Sequence, residues 1–257
     1  MRRALLPVTL SLALVATAWA FGGGAAGART TVTPLRPNVV PLPTSQVQVR
    51  YVQGKQRLYL SFQTENAGAG PLEMQPVRDD CDNDGSSADD RTALQNVFGD
   101  TDDSGGFTAE GDEILRTIVA GCFVYHSIHG HWHFQNFARY QLLTLGGERL
   151  RSHAKVGFCM LDTASVDPTL PGHPDTAQYR GCPDLALQGI SMGWADTYSV
   201  NTPGQFVSID GLPNGTYCLV GRVDPADRIV ESDETDNEIR TRIRFGDHRA
   251  TIRRHAC

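Results

Sequence analysis

Residues 131–145 read HWHFQNFARYQLLTL, a run in which aromatic and aliphatic residues recur without a glycine or a proline. Residues of this kind favour β-strands. The pair Gly146-Gly147 that follows is typical of a turn. Similar runs separated by turn residues fill the chain from residue 114 onward. The stretch therefore predicts a long strand in a chain made mostly of strands.

The rest of the chain supports an all-β fold. Val47–Val52 and Leu58–Phe62 alternate apolar and polar residues around a turn at Gly54, which predicts a β-hairpin. No long segment has the 3.6-residue period of an amphipathic helix, and one short helix is expected at 91–98. The predicted fold is a β-sandwich core with long irregular loops and disulfides. The later strand segments are Ile114–Tyr125, His131–Leu145, Ala154–Leu161, Gln205–Ile209, Thr216–Val223 and Glu238–Phe245.

The N-terminal residues predict export. A basic start, an apolar run and Ala-x-Ala sites indicate a secretory signal peptide at 1–28. A membrane anchor is the alternative for this run. Residues 29–46 contain four prolines and predict an extended leader along the surface, ahead of a domain at 47–257. The net charge of −6 disfavours nucleic acid as a partner. The protein is expected to be secreted and, after cleavage, to have no membrane partner.

The cysteine content also suggests an oxidising compartment. An even number of cysteines in an exported chain predicts disulfides. The chain has six, for which about fifteen pairings exist. Pairing between sequence neighbours would join Cys81 to Cys122 and Cys159 to Cys182. None of the spacings is C-x-x-C, which argues against a cysteine zinc site.

Residues 79–113 contain twelve acidic residues and are interpreted as an acidic insert. The stretches 79–85 (DDCDNDG) and 100–106 (DTDDSGG) place aspartates at alternate positions before a glycine, as at the opening of a calcium loop. Neither has a glutamate at the twelfth position, where Arg91 and Gly111 stand. Calcium binding and a solvated acidic loop both remain open.

Four of the eight histidines lie within residues 126–133. Alternate side chains of a strand share a face, so His129, His131 and His133 would point together and could bind one metal ion. His126 has the opposite parity and is expected either to support the metal ligands without binding the ion or to be structural. A single buried histidine is usually an ordinary core residue, but three on one face would repel each other when protonated. Nitrogen ligands favour copper, with zinc and iron as alternatives.

Only two of the 23 basic residues are lysines, Lys55 and Lys155. A lysine amine can lose its proton and act as a nucleophile, whereas an arginine cannot. Lys55 lies in an apparent surface turn. Lys155 lies in an apolar segment, where burial of an ammonium group is costly. Lys155 is therefore the candidate nucleophile, and a genome biased toward arginine is the alternative explanation.

Several motifs, in order, resemble those of the lysyl oxidase family. YHSIHGHWHF at 125–134 is similar to the family's W-H-x-C-H-x-H-x-H copper motif, and KVGFCMLDT at 155–163 is similar to K-A-S-F-C-L-x-D-T. Asp196-Thr197-Tyr198 and residues 223–237 resemble later family segments. The resemblance covers 118–257 well and 47–77 weakly. Ile128 replaces a family cysteine, so the disulfides are expected to differ from those of animal members, and the pattern is closer to the prokaryotic branch.

The resemblance implies that His129, His131 and His133 bind copper and that Lys155 and Tyr198 form the lysyl tyrosylquinone cofactor. Such an enzyme would use O₂ to deaminate primary amines, either peptidyl lysine or small amines, to aldehydes with release of ammonia and hydrogen peroxide. The alternative is a non-catalytic exported metal-binding or surface-interaction module, which would need neither Lys155 nor Tyr198. Without the resemblance, Tyr198 would be taken for an ordinary tyrosine at a strand edge.

Overall fold

A computed structural model describes residues 31–254 and Cys257, and all regular structure in that part is β-strand. The signal peptide expected at 1–28 lies outside the described residues. Within the described ranges, no helix is long and apolar enough to cross a membrane. The strands are β1 (Thr33–Leu35), β2 (Val39–Leu42), β3 (Val47–Val52), β4 (Lys55–Leu60), β5 (Phe62–Asn66), β6 (Leu72–Val77), β7 (Asp90–Asp100), β8 (Glu113–His126), β9 (His131–Leu143), β10 (Arg149–Phe158), β11 (Ala164–Ser165), β12 (Gln188–Ile190), β13 (Trp194–Tyr198), β14 (Phe206–Ser208), β15 (Gly215–Val223), β16 (Glu238–Gly246) and β17 (Arg249–Arg254).

The strands form three antiparallel sheets. The ten-stranded sheet has the order β12-β6-β7-β8-β9-β15-β16-β17, with β1 paired to β7 and β10 paired to β9. A four-stranded sheet, β11-β13-β5-β2, and a three-stranded sheet, β14-β4-β3, complete the fold. One hydrophobic cluster contains Tyr140, Phe62 and Leu58, one from each sheet. The predicted all-β fold of layered sheets is therefore confirmed.

The predicted hairpin is confirmed as β3 and β4. Val52 pairs with Lys55, so the connection is the two-residue turn Gln53-Gly54. Both residues have positive φ, 53° and 75°, which suits the right-handed twist of the two strands. Glycine adopts such a conformation without steric cost, which explains its place in this turn.

The prediction of a helix at 91–98 is wrong, because this segment lies within β7. β7 pairs with β6 on one side and β8 on the other, and its interior residues Ala93 and Val97 are fully buried. A strand buried on both faces carries apolar residues without clean alternation, which makes it hard to distinguish from a short helix by periodicity. Segment 79–113 thus supplies an inner strand of the largest sheet, with an acidic loop at each end.

The proline-rich leader is extended but does not lie on the surface. β1 pairs with β7 and β2 pairs with β5, and the side chains of Leu35 and Val39 are buried. β2 is the edge strand of its sheet, where a proline such as Pro41 is tolerated because one side of the strand needs no hydrogen bonds. The expectation of a surface segment is therefore wrong for residues 35–42, which alternate between buried and half-buried, whereas Thr33 and Pro34 are exposed.

Three disulfides join sequence neighbours, Cys81–Cys122, Cys159–Cys182 and Cys218–Cys257. The pairings considered from the sequence for the first four cysteines are thereby confirmed. The first disulfide connects the loop after β6 to β8. The second connects the end of β10 to the loop that precedes β12, and it lies beside the candidate site.

Candidate active site

The histidine cluster is built on the hairpin between β8 and β9. His126 ends β8 and pairs with His131, the first residue of β9. Residues 127–130 form the turn, in which the N–H of His129 donates to the carbonyl of His126 (3.0 Å) and Gly130 has a φ of 72°. His129 therefore lies in the turn rather than on the strand, which corrects the strand-face argument for that residue. The turn brings it back over the strand.

The ring nitrogens of three histidines converge at this hairpin. Nε2 of His133 lies 2.9 Å from Nε2 of His131 and 3.4 Å from Nδ1 of His129. His133 is buried, and the other two are half-buried. The ring of His126 stacks on that of His129, with centroids 3.9 Å apart. The neighbouring Trp132 is buried in the core.

The spacing of these nitrogens fits a metal ion. Two nitrogens that each lie about 2.0–2.1 Å from one ion are separated by about 2.9 Å at a right angle and about 3.4 Å at a tetrahedral angle. The two separations here have these values. Three imidazoles leave positions open on the ion, as catalytic sites require. Nitrogen ligands suit copper and zinc better than calcium.

The histidines and Tyr198 line the same cavity. Its volume is about 490 Å³, and its lining includes His126, His129, His131 and His133 as well as Tyr198. Strands of all three sheets contribute, since the β8–β9 hairpin belongs to the ten-stranded sheet, β13 to the four-stranded sheet, and β14, which supplies Phe206, to the three-stranded sheet. The fold thus brings together the imidazoles and a phenol that are 65 residues or more apart in the sequence.

Tyr198 is held firmly in this cavity. It is the last residue of β13 and pairs with Phe62. Its hydroxyl donates to the carbonyl of Cys159 (2.8 Å), and its ring packs edge-on against Phe158 with centroids 4.4 Å apart. Burial raises the pKa of Tyr198 well above 10.0, and the nearby carboxylate of Asp196 raises it further. The phenol is therefore neutral at physiological pH.

Lys155 is placed by its backbone alone. It lies on β10 and pairs with Ala138 of β9, while its side chain lies outside the part that the structure describes. His153 and Gly157, two residues before and after it on the same strand, both line the cavity. A register irregularity separates Lys155 from Gly157. The backbone thus runs beside the cavity at this position.

Two further residues of the cavity were not predicted as site residues from the sequence. Asp196 is 2 % exposed and lines the cavity two positions before Tyr198. His153 lines it as well and stacks on Phe206 with centroids 4.6 Å apart. Alternate residues of a strand share a face, so Asp196 lies on the same face as Tyr198, and His153 on the same face as Lys155. This spacing is the sequence feature from which both residues could have been predicted.

The two acidic loops lie at opposite ends of β7. Ligand oxygens of Asp80, Asp82 and Asp84 come within 4.8 Å of one another. In the second loop the equivalent group is Asp100, Asp102 and Asp112, so its third carboxylate lies outside the stretch 100–106. The sequence pattern thus identified the first group in full and the second in part.

Comparison with known proteins places the chain in a family. A family model described as Lysyl oxidase matches residues 110–257, more than half of the chain. Mouse lysyl oxidase homolog 4 is 31 % identical over 137 residues, which are 52 % of this chain and 17 % of that protein. Human lysyl oxidase homolog 3 is 29 % identical over 136 residues, 52 % of this chain and 17 % of that protein. The chain thus aligns with about a sixth of the length of these relatives. On the extent of the family match, this chain belongs to the lysyl oxidase family.

Proposed function

We propose that this protein is a secreted copper-dependent amine oxidase that uses a lysyl tyrosylquinone formed from Lys155 and Tyr198. The observation that carries the proposal is the single cavity lined by His129, His131, His133 and Tyr198. Family membership supports amine oxidation in general. Copper binding, the lysyl tyrosylquinone and a primary amine substrate are proposed for this chain in addition. The catalytic domain is assigned to residues 47–257, with strands of the 29–46 segment completing its sheets.

The three histidines would hold the copper ion. Their nitrogens already have the spacing that a single ion requires. When bound, copper with O₂ supplies the oxidation of the Tyr198 phenol to a quinone, and the quinone supplies the carbonyl that oxidises a primary amine. In the overall reaction, an amine R–CH₂–NH₂ with O₂ and water yields the aldehyde, ammonia and hydrogen peroxide.

The chain's own groups would orient the phenol and accept protons. The carbonyl of Cys159 fixes the direction of the Tyr198 hydroxyl. Burial and the Asp196 carboxylate raise the pKa of that hydroxyl, which favours the protonated phenol. The carboxylate of Asp196, which is buried and lines the same cavity, would receive a proton there. Lys155, on the opposite sheet, would add its neutral amine to the oxidised ring.

The substrate is proposed to be a primary amine, either the side chain of a peptidyl lysine or a small amine. A cavity of about 490 Å³ accommodates an alkyl amine. The three disulfides are typical of an oxidising compartment and support secretion.

The test is to express the protein with copper in air and examine the pair of residues directly. We expect a covalent Lys155–Tyr198 peptide by mass spectrometry, a hydrazine-reactive quinone absorbance, and peroxide release that depends on a primary amine. Tyr198→Phe should retain copper but lose the absorbance. Copper-loaded protein with an unlinked pair and no peroxide would refute the proposal. Zinc at the histidines with no amine-dependent peroxide would instead support the non-catalytic metal-binding module.

A further inference from the structure

The outer face of the three-stranded sheet places two arginines opposite each other. Leu58 and Val207 are fully buried on the core side of this sheet, so the alternate residues Arg57 and Phe206 point outward. Both are half-buried. Arg57 of β4 pairs directly with Arg50 of β3, so the two side chains share the outer face. Like charges in this arrangement destabilise a sheet unless another interaction compensates for them.

Aromatic rings on the same face hold both guanidinium groups in place. The guanidinium carbon of Arg50 lies 4.5 Å from the centroid of the Tyr59 ring, and that of Arg57 lies 4.3 Å from the centroid of the Phe206 ring. The two rings contact each other, with centroids 5.5 Å apart. A guanidinium that lies over a ring keeps the N–H groups along its edge available for hydrogen bonds. Both cations are therefore positioned before any ligand binds.

The protein provides no acidic partner for these two charges in the part that the structure describes. The ion pairs found there do not include Arg50 or Arg57. Arg57 makes no hydrogen bond through its guanidinium within the described ranges, and Arg50 donates to the neutral amide oxygens of Gln48 (2.7 Å) and Asn201 (2.5 Å). The carboxylate of Asp210 accepts a backbone N–H of β4 and pairs with neither arginine. An anionic ligand would supply the missing countercharge.

The outer face is continuous with the candidate active site. Phe206 lines the same cavity as Tyr198, and the ring of His153 stacks on Phe206. The sheet order β14-β4-β3 puts Arg57 and Arg50 one and two strands away from β14, which is about 5 and about 10 Å in backbone spacing. An extended peptide rises about 3.3 Å per residue. A peptide that inserts one side chain into the cavity can therefore lay residues a few positions away on the outer face.

We propose that Arg50 and Arg57 bind an acidic peptide segment and thereby select peptidyl lysines that have Asp or Glu a few residues away. A carboxylate accepts two parallel N–H groups from a guanidinium and would relieve the repulsion between the two arginines. A basic segment would be rejected, because like charges brought together at an interface are costly. The role in substrate selection rests on the proposed amine oxidation, whereas the binding of an acidic peptide can be measured without turnover.

The binding test uses the full mature protein and two fluorescein-labelled peptides, with norleucine in place of the central lysine so that neither can be oxidised. One peptide has glutamates on both sides of the norleucine, and the other has glutamines at the same positions. Fluorescence anisotropy should show that the glutamate peptide binds roughly tenfold more tightly, and that added salt weakens this preference. Arg57→Gln and the double variant Arg50→Gln/Arg57→Gln should lose it. Arg116→Gln is the matched control, because Arg116 is exposed on β8 and does not line the cavity.

Two results would overturn the inference. One is equal affinity of the wild type for the two peptides, a comparison that needs no variant and so does not depend on the folding of one. The other is a preference for glutamate that persists in the double variant.

The proposed function is tested separately by peroxide release from butylamine, which carries no carboxylate. If the wild type releases peroxide, the ratio of kcat/KM for lysine versions of the glutamate and glutamine peptides should be roughly ten and should fall to about one in Arg57→Gln. If it releases none but still prefers the glutamate peptide, the amine oxidase is refuted while the acidic-peptide site is supported.

Discussion

Removal of the Cys159–Cys182 disulfide should disturb the candidate site as well as the stability of the fold. The carbonyl of Cys159 accepts the hydroxyl of Tyr198 (2.8 Å). The carbonyl of Cys182 accepts the N–H of Trp132 (3.0 Å), which lies between His131 and His133. The disulfide therefore links the residue that orients the phenol to β9, the strand that carries His131 and His133. The perturbation is the double variant Cys159→Ala/Cys182→Ala.

The loss of stability can be worked from the size of the closed loop. A sequence separation of 23 residues corresponds to about 3.4 kcal/mol of unfolding free energy by the chain-entropy relation. The control variant Cys218→Ala/Cys257→Ala opens a loop with a separation of 39 residues and should lose about 3.9 kcal/mol. The two variants thus lose similar stability, and guanidinium unfolding measures both losses.

The variants should differ in the chemistry of the site. Under conditions where both are folded, we expect the Cys159→Ala/Cys182→Ala protein to yield several-fold less hydrazine-reactive quinone per bound copper. The control should match the wild type, because neither of its cysteines lines the cavity. Equal quinone yields in the two variants would refute the idea that this disulfide aligns the phenol with the metal site.

Three further predictions concern the metal, the effect of pH and a buried side chain. His133→Ala should reduce bound copper to below about a tenth of the wild-type content, measured by atomic absorption, whereas exposed His248→Ala should retain it. Burial raises the pKa of Glu231 to about 8 from 4.5, so the unfolding free energy in EDTA should fall as pH rises from about 5 to about 8, by up to about 5 kcal/mol. A rise across that window in urea unfolding would contradict this. Asn66→Ala should lose about 3 kcal/mol or more, because the buried amide bonds four backbone groups. Exposed Asn201→Ala should change stability little in the same assay.

The sequence predicted strands best where one face of the strand is polar. β3 and β4 alternate clearly and were recognised together with their Gly54 turn. β7 was not recognised as a strand. Both of its faces are buried, so its sequence lacks the alternation of apolar and polar residues and resembles that of a short helix. The prolines of the 29–46 leader were similarly misleading. An edge strand tolerates prolines, so its sequence can resemble that of an extended surface segment.

The sequence could predict which residues belong to the candidate site, but not how they are arranged in space. Period-two spacing explains why His131 and His133 face the same way, whereas His129 reaches them through the turn at Gly130. The approach of Tyr198 depends on how two sheets pack, and no local pattern records that.

The location of the two proposed cofactor residues on different sheets would have a mechanical consequence. Lys155 lies on β10 of the ten-stranded sheet and Tyr198 on β13 of the four-stranded sheet. The proposed covalent bond between them would cross-link the two sheets across 43 residues of sequence. By the chain-entropy relation used for the disulfides, this cross-link would add about 4 kcal/mol to the unfolding free energy. Unlike a disulfide, it would survive reducing agents. Maturation of the newly made protein would then be irreversible, and the proposed activity and the added stability would be acquired in the same step.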